Sequence, residues 1–212
     1  MTTRRTAGLA LGGYALATLV AFTGAGVPGG DYEPGKLTGF LTGGHLAPVV
    51  LGWLGAAAAV ALLPVGRYLR EALGGVPGGL AHDLSVVATS AGVVGWTAST
   101  GLTIAVVEGG PHVATGLPLP VAYAVGEVAN LLAVCAPAFG LGALALLVAR
   151  SHSVPAWVRG VSLLGAVGGL TAPLFFTYFV FLVWALVLGG WLALRPAPSP
   201  VAPSVPASLG VA

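Results

Sequence analysis

The chain has 212 residues, 57% of them hydrophobic and only 7% charged, with a formal net charge of +2. A soluble domain carries about 25% charged residues, so this composition excludes a water-faced globule. A positive excess this small and scattered also excludes a nucleic-acid-binding surface, which needs a clustered basic face. The expected class is an integral membrane protein whose main partner is the lipid bilayer.

A helix that crosses a bilayer needs about 20 consecutive apolar residues. Ala7–Val27 is the first such run. It follows Arg4 and Arg5 as a secretory leader would, but it exceeds the roughly 7–15 apolar residues of a leader. It reads as an uncleaved first span. Leu46–Val65 is the second run, Leu84–Val107 the third and Val121–Ala149 the fourth. From Pro155 to Leu194 Arg159 is the only charged residue. One helix over that stretch would be far longer than a bilayer is thick at about 1.5 Å per residue, so it must break. Proline removes a backbone donor and clashes with the preceding turn, which puts the break at Thr171-Ala172-Pro173. A short fifth span, Pro155–Ala172, and a sixth, Leu174–Leu194, follow. The tail Arg195–Ala212 carries five prolines and is expected to be disordered.

The fold class expected is therefore all-α, a polytopic bundle of six spans over residues 1–194. With loops numbered alternately from the inside, Arg4, Arg5, Arg67, Arg70, Arg150, Arg159 and Arg195 share one side and only Lys36 takes the other. That asymmetry is what the positive-inside rule asks for, and it makes both termini cytoplasmic. Five spans would strand Arg195 outside. The location implied is the cell membrane, multi-pass, and the bacterial inner membrane in particular. Within the hairpin after span four, Pro155 suits a first helical turn, Trp157 suits the headgroup level and Arg159 can snorkel back to it.

Polar residues inside spans are costly and are the place to look for function. Tyr123, Glu127 and Asn130 share one face of span four at i, i+4 and i+7. In span three Ser85, Thr89, Gly92, Trp96, Ser99 and Thr103 recur at helical spacing, with Thr100 adjacent. Ser99, Thr100 and Thr103 reach the depth of Glu127 and Asn130. With Trp96 and Tyr123, these residues form a candidate ligand or ion pocket open to the outside. The competing reading is interhelical hydrogen bonding, worth about 0.6 kcal/mol per contact. His45 and His112 lie on the outer side with Asp31, Glu33 and Glu108, without the spacing of a metal site. His82 and His152 are cytoplasmic and no histidine lies mid-span, so bis-histidine haem ligation is not expected. Asp83 is expected to cap span three. Pro137 should kink span four, freeing a carbonyl near Ala133. The single cysteine, Cys135, forms no intrachain disulfide, and no zinc spacing exists. It reads as a small buried hydrophobe. Gly8/Gly12 and Gly165/Gly169 are GxxxG pairs, and in so glycine-rich a chain they read as packing within the bundle. No cofactor and no metal are expected.

"LLVARSHSVPAWVRGVSLLGAVGGL", Leu146 to Leu170, resembles a stretch of bacterial six-span integral membrane proteins, domain-of-unknown-function family 4386. Arg150, Val154, Pro155, Trp157 and Gly165 carry the likeness. "LGWLGAAAAVALLPVGRYLREA", Leu51 to Ala72, is similar to that family's second span through Pro64, Arg67 and Arg70, and "LVLGGWLAL" to its closing span through Trp191. Span three lacks the family's Arg-x-x-Glu type of pair, and span six lacks an acid before Trp191. The resemblance implies the six-span architecture and no particular activity.

Three functions compete. The first is a non-catalytic membrane component with a partner-binding, sensory or stress-related role, working with another membrane protein or with copies of itself. The second is a small-solute or ion transporter built on the Glu127 pocket. The third is a lipid-modifying enzyme, for which no persuasive acid/base or nucleophile constellation exists. An enzyme is thus the reading least supported.

Overall fold

A computed structural model describes residues 4–24, 39, 46–73, 78–108, 119–174 and 176–194. The described chain is helical, with no strand among the described residues. Its helices are α1 (Arg4–Gly24), α2 (Leu46–Val60), α3 (Leu62–Ala72), α4 (Gly78–Glu108), α5 (Leu119–Arg150), α6 (Ala156–Leu170) and α7 (Phe176–Leu194). A 3-10 turn, Ala172–Leu174, separates α6 from α7. Three of these helical stretches, Val49–Ala72, Ala124–Arg150 and Thr177–Leu194, are long and apolar enough to cross a membrane. The tail 195–212 lies outside the described residues.

Several helix limits differ from the apolar runs, each for a local reason. α2 stops at Val60 and α3 resumes at Leu62 because Pro64 cannot donate to Val60 and its ring crowds that carbonyl. Ala61 bridges the gap by sharing its N–H between Ala57 O at 3.3 Å and Ala58 O at 3.1 Å. α4 begins at Gly78, well before the apolar run. Asp83 therefore lies on an exposed face inside the helix and does not cap it. Hydropathy marks where lipid begins, whereas a helix continues through polar turns beyond it. Pro155 is the N-cap of α6, one residue ahead of the helix, with φ −57° and ψ 153°. At the other end the Leu174 N–H returns to Thr171 O at 2.9 Å. The Thr177 hydroxyl donates to the same carbonyl at 2.6 Å, and the Cys135 thiol donates to Ala172 O at 3.3 Å. Carbonyls left open at the break are thus taken up by a backbone N–H and by neighbouring side chains.

Successive rods pack against one another, and α1 packs on both α2 and α7. With α2 and α3 counted as one bent rod, six rods close into a ring. Small residues set the distances. A Cβ on Gly189 would lie 2.7 Å from Gly12 N and 2.8 Å from Gly8 O, so α7 and α1 touch backbone to backbone. A Cβ on Gly169 would lie 2.6 Å from Gly142 Cα, which makes the same statement for α6 and α5. The GxxxG glycines thus do their packing inside the bundle. Leu62, Leu141, Leu144, Phe181 and Leu192 fill the interior. The outer wall is apolar too: Trp53 is 65% exposed, and Leu16, Val94, Phe139, Leu164 and Val183 also face outward.

Candidate functional site

α4 and α5 run antiparallel, and their register follows from close contacts. A Cβ on Gly95 would strike Leu132 O, and one on Gly140 would lie 3.1 Å from the Ala88 backbone. Carried one and two turns further, that register brings Ser99 and Thr103 to the level of Ala129 and Val125, either side of Glu127. Ser99 and Thr103 are buried. Glu127 is half-buried and held by a polar or electrostatic contact. The side chains of Tyr123 and Asn130 lie outside the described residues, as do His45, His112, Asp31 and Glu33. Trp96 and Thr100 are turned elsewhere. A Cβ on Gly55 would enter the Trp96 ring, and one on Gly52 would meet the Thr100 hydroxyl. Both side chains therefore fill notches in α2. The Thr100 hydroxyl bonds back to Trp96 O at 2.8 Å. Of the seven candidate pocket residues, Glu127, Ser99 and Thr103 share a level on the α4–α5 pair, while Trp96 and Thr100 belong to the α2–α4 seam. Among the described residues no cluster of His, Cys, Asp or Glu could hold a metal ion.

The fold assembles two further polar groupings that no sequence motif marks. The first joins α1 to α7. Thr18 lies beside the phenols of both Tyr14 and Tyr178. All three side chains are buried, and none of the three oxygens makes a well-directed hydrogen bond. The signal existed, since Tyr14 and Thr18 are polar at i and i+4 in an apolar run. Nothing along the chain pointed to Tyr178 as their neighbour.

The second lies at the arginine-bearing end. Ser153 donates its hydroxyl to Ala72 O, the last carbonyl of α3, at 3.0 Å. Ser151 is fully buried and sits 2.7 Å from Ser153 Oγ. The α5–α6 connection thus caps a helix about 80 residues earlier, satisfying a carbonyl with no partner of its own helix. Arg4 does the same for α7, its Nε donating to Leu192 O at 3.3 Å, where a cation also suits the negative end of the helix dipole. Deeper in, the Trp184 indole N–H donates to Ser162 Oγ at 3.0 Å, tying α7 to α6. No protein-family model, curated protein or solved structure matches this chain.

Proposed function

We propose that the chain is a six-span component of the cell membrane, with both termini on the cytoplasmic side, and that its role is non-catalytic. The observation that carries this reading is the character of the buried polar side chains. Among the described residues these are Thr18, Ser85, Thr89, Ser99, Thr103, Ser151 and Ser162, all neutral hydroxyls. Neutral hydroxyls between close-packed helices serve association, whereas acid/base or ion-relay chemistry uses ionisable groups facing the interior. The apolar outer wall supports immersion in lipid, because soluble monomers rarely expose extensive apolar surface. The likeness of Leu146–Leu170 to the six-span family adds to the topology alone.

Topology is tested in a Cys135→Ala background with a membrane-impermeant maleimide on intact cells. Lys36→Cys should be labelled, and His152→Cys should react only after permeabilisation. Labelling of His152→Cys from outside refutes the orientation.

A second reading, ion or solute transport, is favoured by Ser99 and Thr103 lying at the level of Glu127. Ion flux in proteoliposomes that Glu127→Gln abolishes, with folding intact, would replace the non-catalytic role. Absence of any Glu127-dependent flux leaves that role standing.

A further inference from the structure

The arginine-bearing end holds a recess and a groove that share one wall. The recess, of ≈ 70 Å³, lies among Arg4, Tyr68, Leu73, Ser153 and Trp191. On the scale of a water's share of about 30 Å³, that is room for a small polar group and not for an organic ligand. The groove, open and of ≈ 520 Å³, runs along Trp157, Leu186, Val187, Gly190, Trp191 and Leu194. Its lining is apolar except for the indole edges. Trp157 and Trp191 meet edge to face at 6.2 Å, and Trp191 stands between recess and groove. Arg4 contributes a guanidinium; its Nε–H goes to Leu192 O, and its terminal N–H groups are of the kind that match phosphate oxygens. Around it at the same end are Arg5, Arg67, Arg70, Arg150 and Arg159, against Glu71 and Asp83 among the described residues.

We infer that this pair of cavities is a seat for one anionic phospholipid of the adjacent leaflet, its phosphate at Arg4 and Tyr68 and one acyl chain along the Gly190 groove. The inference rests on the membrane reading above. Charge selects the headgroup: a net positive helix end at the interface attracts anionic lipid. Shape selects the tail, since an open apolar groove beside paired tryptophans matches the boundary of headgroup and acyl chain. Gly190 is the means to test it. A Cβ there meets nothing within 4 Å, so a bulky side chain fills the groove without disturbing the bundle.

The full-length protein is reconstituted in phosphatidylcholine nanodiscs with and without phosphatidylglycerol, and its thermal midpoint is measured. Phosphatidylglycerol should raise the midpoint, and native mass spectrometry should find that lipid retained. Gly190→Phe should fold with an unchanged midpoint in phosphatidylcholine and lose the rise. Arg4→Gln should lose it as well. Inorganic phosphate added to phosphatidylcholine discs should not reproduce it. A full rise in Gly190→Phe overturns the seat, as does no rise in the native chain. A rise with phosphate alone assigns the recess to a free anion and overturns the lipid. If the protein stays in the supernatant of lysed cells without detergent, the membrane reading itself has failed, which is a separate result.

Discussion

Glycines in α6 differ by what their missing side chains would meet. A Cβ on Gly165 would lie 2.6 Å from Trp184 Cβ and 2.7 Å from its Cδ1, whereas one on Gly160 meets nothing within 4 Å. Trp184 is 1% exposed and its indole is fixed by Ser162, so it has nowhere to retreat. Gly165→Ala should therefore destabilise by about 1–3 kcal/mol, the usual cost of overpacking. Gly160→Ala should be neutral or stabilising by up to about 1 kcal/mol through helix propensity. Ser162→Ala removes the partner of the buried indole and should cost between about 0.6 and 1.7 kcal/mol, the measured average and upper value for such bonds between membrane helices. Unfolding midpoints in one detergent read all three, and equal effects for Gly160→Ala and Gly165→Ala would contradict the packing described here.

The reversal between α6 and α7 is held by more than its proline. Thr171 O accepts from both Leu174 N and the Thr177 hydroxyl, and Ala172 O accepts from Cys135. Thr177→Val keeps the shape and loses a bond to a backbone carbonyl, so it should cost about 1 kcal/mol. Cys135→Ala loses only a weak thiol donor and should cost less, which also suits it as a background for labelling. Larger loss in Cys135→Ala than in Thr177→Val, read by thermal unfolding, would contradict this assignment. The place of this break was legible, because Pro173 acts on its own neighbours in sequence. The break at Ala61 was equally local, since Pro64 sits four residues after Val60, yet hydropathy runs straight through it and hides it. The start of α4 at Gly78 was hidden for the opposite reason: its first turns hold two glycines, His82 and Asp83, and apolar length says nothing about a helix beyond the lipid. As for the candidate site, helical spacing put Trp96 and Thr100 in one stripe with Ser99 and Thr103. Spacing could not say that Gly52 and Gly55 open notches that draw the first two toward α2. Pairs such as Ser153–Ala72 and Thr18–Tyr178 were not legible at all. They join residues far apart in the chain, and only the closed arrangement of rods brings them together.

Closure of the ring is the property on which the whole molecule turns. An open row of six rods would leave α1 and α7 with unpartnered glycine faces, whereas here Gly8, Gly12 and Gly189 lie backbone against backbone. Arg4 Nε reaches Leu192 O, so the start of α1 and the end of α7 are neighbours in space although 188 residues apart. Chains whose ends are close tolerate relocation of those ends. Joining Leu194 to Arg4 by a short flexible linker and opening the chain between Leu73 and Gly78 keeps every helix and every neighbour. It also leaves both new ends on the arginine-bearing side, so under the proposed topology the positive-inside rule asks for the same orientation. This permutant should insert and unfold within a few degrees of the natural order. Adding Gly8→Leu should destabilise both forms strongly, because the backbone of α7 cannot yield, while Gly13→Leu, whose Cβ meets nothing within 4 Å, should be tolerated in both. A row without contact between its first and last rods would behave differently. The linker would then pull the ends together across the bundle, and the permutant would fail to insert or would lose most of its stability whichever glycine is changed.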